Sequence, residues 1–322
     1  MKRDFFILHF SAIILHALCF IYSIMTKTGY NTPIYTLQKT IKYENTTLTY
    51  YDINDEFLVK LPSVVFIHGF VALVTILFHG LFYLPIHYKF ANVVWNQKYF
   101  TLRWFEYSIT CTSMTISSVM SSGTNDFNFV ITAISLGIAL QLLGSLIEQI
   151  KHQWRILLLI GLCIELGIGW SLIWYTISSQ NISQYQWIET ISFLFYYSLF
   201  PLNCILDAIY RENNFIRTDW IYNVLSLTSK FALFWIQVGE LERVYLGGIW
   251  PEIQIYCLGI IVPLIILIIG IYNVPSMFTI KPEKYEQINI YWKIMYKIAT
   301  FKITTNQKPQ IIYVKQKNRL RV

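Results

Sequence analysis

The chain has 322 residues, of which 55% are hydrophobic and 13% charged, and its mean hydropathy is +0.47. That composition excludes an ordinary soluble fold and places the protein in a bilayer, whose hydrocarbon core is spanned by about 20 apolar residues. The formal net charge of +7 comes mostly from a basic C-terminal tail. With no recognisable binding module, the tail makes nucleic acid a poor candidate partner.

Eight apolar spans are predicted, at residues 5–25, 61–87, 99–120, 127–150, 155–178, 187–210, 219–240 and 253–272. The first follows Lys2 and Arg3, the basic start of a secretory signal. Its apolar run is too long for one and no small-residue cleavage site follows, so it reads as a retained helix. The loop at 26–60 is the sizeable soluble element. Within it, Thr40 to Glu44 and Thr47 to Tyr51 alternate with high β propensity around Asn45-Thr46, which predicts a hairpin. The third span opens with Arg103-Trp104-Phe105-Glu106-Tyr107-Ser108, and the fourth ends at Glu148. Glu165 lies mid-span in the fifth. The sixth is flanked by Glu189 and Asp207 and contains Pro201, which frees a backbone carbonyl. The seventh holds Lys230 near its centre.

Orientation follows from the basic residues. With the N-terminus inside, Lys2, Arg3, Lys89, Lys98, Arg103, Lys151, Arg155, Arg211 and Arg217 fall on the inner side, as does the tail. The sequons at Asn45 and Asn181 then lie outside. The tail reads either as a contact for anionic inner-leaflet lipids or as a solvated topology anchor. All five cysteines (Cys19, Cys111, Cys163, Cys204 and Cys257) fall inside spans, a pattern of packing rather than of metal ligation or disulfides. No internal repeat suggests an inverted-repeat transporter. No metal cluster, nucleophile–base pair or phosphate loop suggests an enzyme.

Lys230 sits about 15 Å from either end of its helix, counting 1.5 Å per residue, beyond the reach of snorkelling. A free ammonium there costs roughly 3 kcal/mol or more, so the lysine must pair with a buried acid, lose its proton or be modified covalently, as in a Schiff base. Glu106 is the candidate opposite charge, with pairing to Arg103 at i, i+3 as the alternative. Ser226, one turn before Lys230, can hydrogen-bond the lysine nitrogen or its counterion. His16 and His79 fall near the same level and could hold a released proton. His9, His68, His87 and His152 lie nearer span ends and receive no role.

These residues carry a family resemblance. Arg103 to Ser108 resembles the third-helix motif of heliorhodopsins. Leu225-Ser226-Leu227-Thr228-Ser229-Lys230 with Trp235 resembles their seventh helix, and Leu15-His16-Ala17 and Phe78-His79 match their histidines. The resemblance covers roughly residues 2–240. It implies an all-α membrane protein, a seven-transmembrane-helix rhodopsin bundle with the N-terminus inside and an outer hairpin in the first loop. It further implies all-trans retinal bound to Lys230, Glu106 as counterion supported by Ser226, Trp235 packed along the chromophore, and His16 and His79 in an inner cavity that handles the proton. A homodimer is implied, and a signalling partner is left unidentified. Cys19, Gly137 and Thr75 depart from the polar residues expected at their positions.

The expected organisation is a retinal-binding domain at 1–240, an additional hydrophobic helix at 241–275 and a basic cytoplasmic tail at 276–322. The expected function is a light-activated photoreceptor. A light-gated proton channel using Glu106, Glu165 and Glu189 as relay carboxylates is the rival.

Overall fold

The computed structural model describes residues 2–26, 32–44, 47–61, 63–89, 100–121, 127–150, 157–164, 167–168, 171, 184–245 and 248–273. Helix α1 (Lys2–Met25) has two unlike faces. Phe6, Phe10, Ile14 and Leu18 point outward, whereas His9, Ala12, His16 and Cys19 are buried. Polar groups inside and apolar groups outside suit a lipid solvent, and the reverse holds in water.

Strands β1 (Thr32–Glu44) and β2 (Thr47–Leu61) pair antiparallel, from Thr32 opposite Leu61 to Glu44 opposite Thr47. They run further than the alternation over 40–51. Ser63 then caps the next helix by accepting the Phe66 amide at 3.3 Å.

Helix α2 covers Val64–Lys89 and is π-helical over Phe78–Tyr83, where the Leu84 amide bonds the His79 carbonyl five residues back. Pro85 accounts for the widening. It donates no hydrogen bond and its ring crowds the carbonyl four residues earlier, a clash that a wider turn relieves. The last helix repeats the device, with a π segment at Ile253–Ile261 just before Pro263.

Helices α3 (Thr101–Ser121) and α4 (Phe127–Gln149) pack side by side. The hydroxyls of Ser108, Thr110, Ser113 and Thr115 on α3 each return to the carbonyl four residues back. This internal bonding lets so polar a helix stay within an apolar bundle. A short segment, α5, is described at 157–164. Helix α6 (Gln184–Tyr245) is helical over 62 residues, yet it is not straight. Asn203 donates to the Thr218 carbonyl at 3.1 Å and the Phe200 and Tyr222 rings lie 6.2 Å apart. Along a straight helix those pairs would be separated by more than about 20 Å. The backbone therefore folds back between Asn203 and Thr218, and the expected sixth and seventh spans are its two limbs.

Helix α7 (Trp250–Tyr272) packs on the second limb of α6. Gly259 and Gly270 make that approach possible, because a Cβ on either would lie 2.5 Å from Ile236 or Val224. Trp220 adds a hydrogen bond to the Gly270 carbonyl at 2.8 Å.

Among the described residues, five helical stretches are long and apolar enough to cross a membrane: Arg3–Met25, Val64–Lys89, Phe127–Gln149, Gln184–Ile205 and Trp250–Tyr272. Helix α3 and the second limb of α6 are not among them, and those two elements carry Arg103, Glu106, Asp219 and Lys230.

Candidate functional site

Lys230 projects from the second limb of α6 and is 2% exposed; Glu106 on α3 is fully buried. Two charges so far from water persist only when paired and hydrogen-bonded. Lys230 Nζ forms an ion pair with Glu106 Oε1 and donates to Thr75 Oγ1 at 3.1 Å. Thr75 returns its own proton to the Val71 carbonyl at 2.9 Å, with Glu106 Oε1 at 3.4 Å as a second acceptor. Tyr83, on the π segment of α2, donates to Glu106 Oε2 at 2.5 Å. Three elements thus converge on one charge pair.

The ring of Tyr107 forms the next wall, its centroid 5.4 Å from Lys230 Nζ. Tyr107 donates to the Tyr222 carbonyl at 2.9 Å and meets Phe200 edge-on at 5.5 Å. Phe200 and Tyr222, together with Trp104, Cys111, Leu162 and Tyr197, line an apolar cleft. Pro201 also lines it and has no amide to donate within the helix.

Arg103 does not pair with Glu106. It spans three elements instead, bonding Asp219 Oδ1 at 2.5 Å on α6 and Glu148 Oε1 on α4. Its guanidinium lies 4.3 Å from the centroid of the Tyr222 ring, and Trp104 Nε1 donates to Glu148 Oε2 at 2.8 Å. The side chain of a residue in the first turn of α3 leans toward that helix end, which takes the guanidinium away from Glu106.

His16 Nδ1 bonds the Ala12 carbonyl at 2.8 Å. His79 joins a run that composition and depth did not reveal. His79 Nδ1 lies 3.0 Å from His9 Nδ1, His9 Nε2 lies 2.9 Å from His87 Nδ1, and His87 Nε2 lies 2.9 Å from Asp219 Oδ2. His9 and His87, assigned no role from the sequence, are thus joined to His79 and Asp219 by hydrogen bonds. They were set aside because they lie near helix ends, yet that is where α1, α2 and α6 pack together. A signal was available, since His9 and His16 are seven residues apart on one helix face. The eight residues from His79 to His87 include the π turn, whose extra residue restores the same two-turn alignment.

On the other side of Lys230, Glu189 accepts from Ser121 at 2.8 and 2.7 Å and from Gln237 Nε2. Gln237 Oε1 accepts from Ser117 at 2.7 Å and contacts His68 Nε2. Glu165 lies outside the described residues, and of the Asp207 side chain nothing is described.

Ser226 and Trp235 lie apart from the bonds of the charge pair. Ser226 Oγ is buried but hydrogen-bonds neither Lys230 nor Glu106; Thr75 reaches the lysine from α2 instead. Trp235 belongs to the cluster of Cys19, Val65, Ala72 and Val238, with Tyr22 at 5.0 Å, rather than to the cleft. Five residues beyond Lys230, it faces a different side of the helix. Of the cysteines, Cys19, Cys111 and Cys204 are buried, whereas Cys163 and Cys257 are exposed. Gly137 is where α4 approaches α3, and a Cβ there would lie 2.8 Å from Thr112 Oγ1. A larger polar residue at that point would force the helices apart.

The fold and its centre define a class: an integral, multi-pass helical membrane protein built around a buried lysine–carboxylate pair beside an aromatic cleft. The family profile described as Heliorhodopsin matches residues 6–241, about three quarters of the chain. The chain belongs to the heliorhodopsin family, the light-sensing retinal rhodopsins, which are photoreceptor-type membrane proteins. No curated protein matches it.

Proposed function

We infer that this protein is a light-activated photoreceptor that carries all-trans retinal on Lys230 as a protonated Schiff base, with Glu106 as counterion. The observation that carries the reading is the buried Lys230–Glu106 pair, bonded to Thr75 and Tyr83 beside the aromatic wall of Tyr107. The residues suit the group. The buried Ser226 Oγ and the apolar cleft beyond Tyr107 supply a polar end and a flat, greasy extension, as a polyene attached through a nitrogen requires. When bound, retinal supplies visible absorption and a light-driven change of shape at the lysine nitrogen.

The chain's own groups then do the following. Glu106 balances the positive charge on Lys230 Nζ through their ion pair. Thr75 and Tyr83 hold Glu106 in place through its two oxygens. Tyr107, tied to the Tyr222 carbonyl, keeps a rigid ring against the nitrogen and excludes water. Displacement at Lys230 weakens the ion pair and shifts the balance between two helix arrangements.

The bundle is read as seven helices with α7 as an eighth, the N- and C-termini cytoplasmic, the hairpin outside and the working unit a homodimer. The partner that receives the signal is unidentified, and the basic tail contacts inner-leaflet lipids. The channel reading gains no support: Glu106 is engaged by Lys230, and Glu189 is held by a serine and an amide.

Glu106→Gln tests the assignment. Loss of the counterion is expected to move the visible band to longer wavelength or to leave the nitrogen deprotonated with absorption in the near ultraviolet. An unchanged spectrum would remove Glu106 from the role.

A further inference from the structure

His79, His9 and His87 lie in series, each ring nitrogen within 3.0 Å of the next, and the series ends 2.9 Å from Asp219 Oδ2. All four side chains are buried. A neutral imidazole carries one N–H donor and one bare acceptor, so with all three rings neutral one fixed end determines the series. Asp219 accepts from Arg103 at Oδ1 and is an anion, which makes His87 Nε2 a donor. His87 Nδ1 is then the acceptor for His9 Nε2–H, and His9 Nδ1 the acceptor for His79 Nδ1–H. The proton count leaves His79 Nε2 bare, and that atom is buried with no hydrogen-bond partner among the described residues. His16 ends in the same way. Its Nδ1–H is held by the Ala12 carbonyl and its Nε2 is buried without a partner. The His79 ring lies 4.9 Å from that of Tyr83, whose hydroxyl donates to Glu106, the ion-pair partner of Lys230.

We propose that His79, His9 and His87 form a directional proton relay from the Lys230 site to Asp219, with His79 Nε2 as its entrance. This deepens the photoreceptor reading and rests on it for the source of the proton, the Lys230 nitrogen. A proton bound at His79 Nε2 releases Nδ1–H to His9 Nδ1. His9 then passes Nε2–H to His87 Nδ1, and His87 passes Nε2–H to Asp219 Oδ2. One proton enters, one arrives, each ring ends as its opposite tautomer, and Asp219 becomes a carboxylic acid still bonded to Arg103. While His87 is doubly protonated, its Nδ1–H has a second acceptor in the Tyr83 carbonyl at 3.0 Å. The reverse sequence restores the starting order. Hydrogen-bonded series of this kind polarise one another, so a change at one end is felt at the other.

The test is ring-¹⁵N nuclear magnetic resonance of the full chain in lipid, in the dark and without retinal, followed by light-induced infrared difference spectra of the pigment. The expected results are a through-hydrogen-bond coupling between His79 and His9 and a His79 ring protonated on Nδ1. Asp219→Asn should turn its carbonyl to Arg103 and its NH₂ to His87, reversing the series so that His79, three rings away, becomes protonated on Nε2. If that variant does not fold, His9→Phe breaks the series by itself. It should remove the coupling and abolish the light-induced carboxylic acid band of Asp219. It should also slow recovery of the dark state on the order of 10²-fold, the contribution of one positioned proton-transfer group.

A wild-type His79 protonated on Nε2, or one indifferent to Asp219→Asn, overturns the relay, as does a His9→Phe pigment with unchanged infrared bands and recovery. Failure of the photoreceptor reading is separately visible as the absence of any retinal band in the wild type. The dark coupling and tautomer do not depend on that band.

Discussion

Thr75 stands within hydrogen-bonding distance of both halves of the buried ion pair, and it shows how a sequence departure becomes a structural part. A serine-like hydroxyl was expected to come from Ser226, one turn before the lysine. The ammonium instead leaves the helix toward α2 and α3, where Thr75 meets it. Thr75→Ala removes that acceptor. The expected outcomes are a shifted visible band and a loss of about 1 kcal/mol of stability, the usual net worth of one hydrogen bond, measured by absorption and thermal bleaching. At this scale Lys230 and Glu106 were legible because a charge in mid-span demands compensation. Tyr83, His9, His87 and Asp219 were not, because a histidine or tyrosine near a helix end has many ordinary explanations. Only packing brings them to one place.

Arg103 ties α3 to α4 and to the second limb of α6 through Glu148 and Asp219. Arg103→Gln leaves two buried carboxylates short of their shared cation. Breaking a buried ion pair from one side typically costs about 3–5 kcal/mol. A melting temperature well below that of the wild type is the expected result, and an unchanged one would make the cluster incidental. Helix α7 is held differently, by close backbone approach. Gly259→Leu sets a side chain where a single Cβ already lies 2.5 Å from Ile236. Overpacking of this kind costs about 1–3 kcal/mol and is expected to loosen α7, read as faster amide exchange over Trp250–Tyr272. The apolar periodicity made most helices visible in the sequence. It hid the fold-back inside α6, whose backbone stays helical where a loop was expected, and the two π segments, which answer to single prolines. Helix α3 is the instructive case: its serines and threonines dilute the apolar signal, and their bonds to backbone carbonyls restore its fitness for the bilayer.

Across the whole molecule, charge is sorted by depth. Arg103, Glu148, Asp219 and His87 form one layer, Lys230, Glu106, Thr75 and Tyr83 the next, and Glu189, Gln237 and His68 a third. Apolar side chains face outward around them, as on α1 and α7. The layering explains why the class could be read from sequence while the wiring could not: hydropathy reports which helices meet lipid, and contacts across helices decide which charges meet each other. The central claim is that Lys230 carries retinal. Its most direct test is the visible absorption spectrum of the full chain expressed with all-trans retinal, before and after hydroxylamine under illumination. The account predicts a visible band that bleaches with hydroxylamine and is missing from Lys230→Ala. A wild-type protein with no such band, or a Lys230→Ala protein that keeps it, would contradict the account.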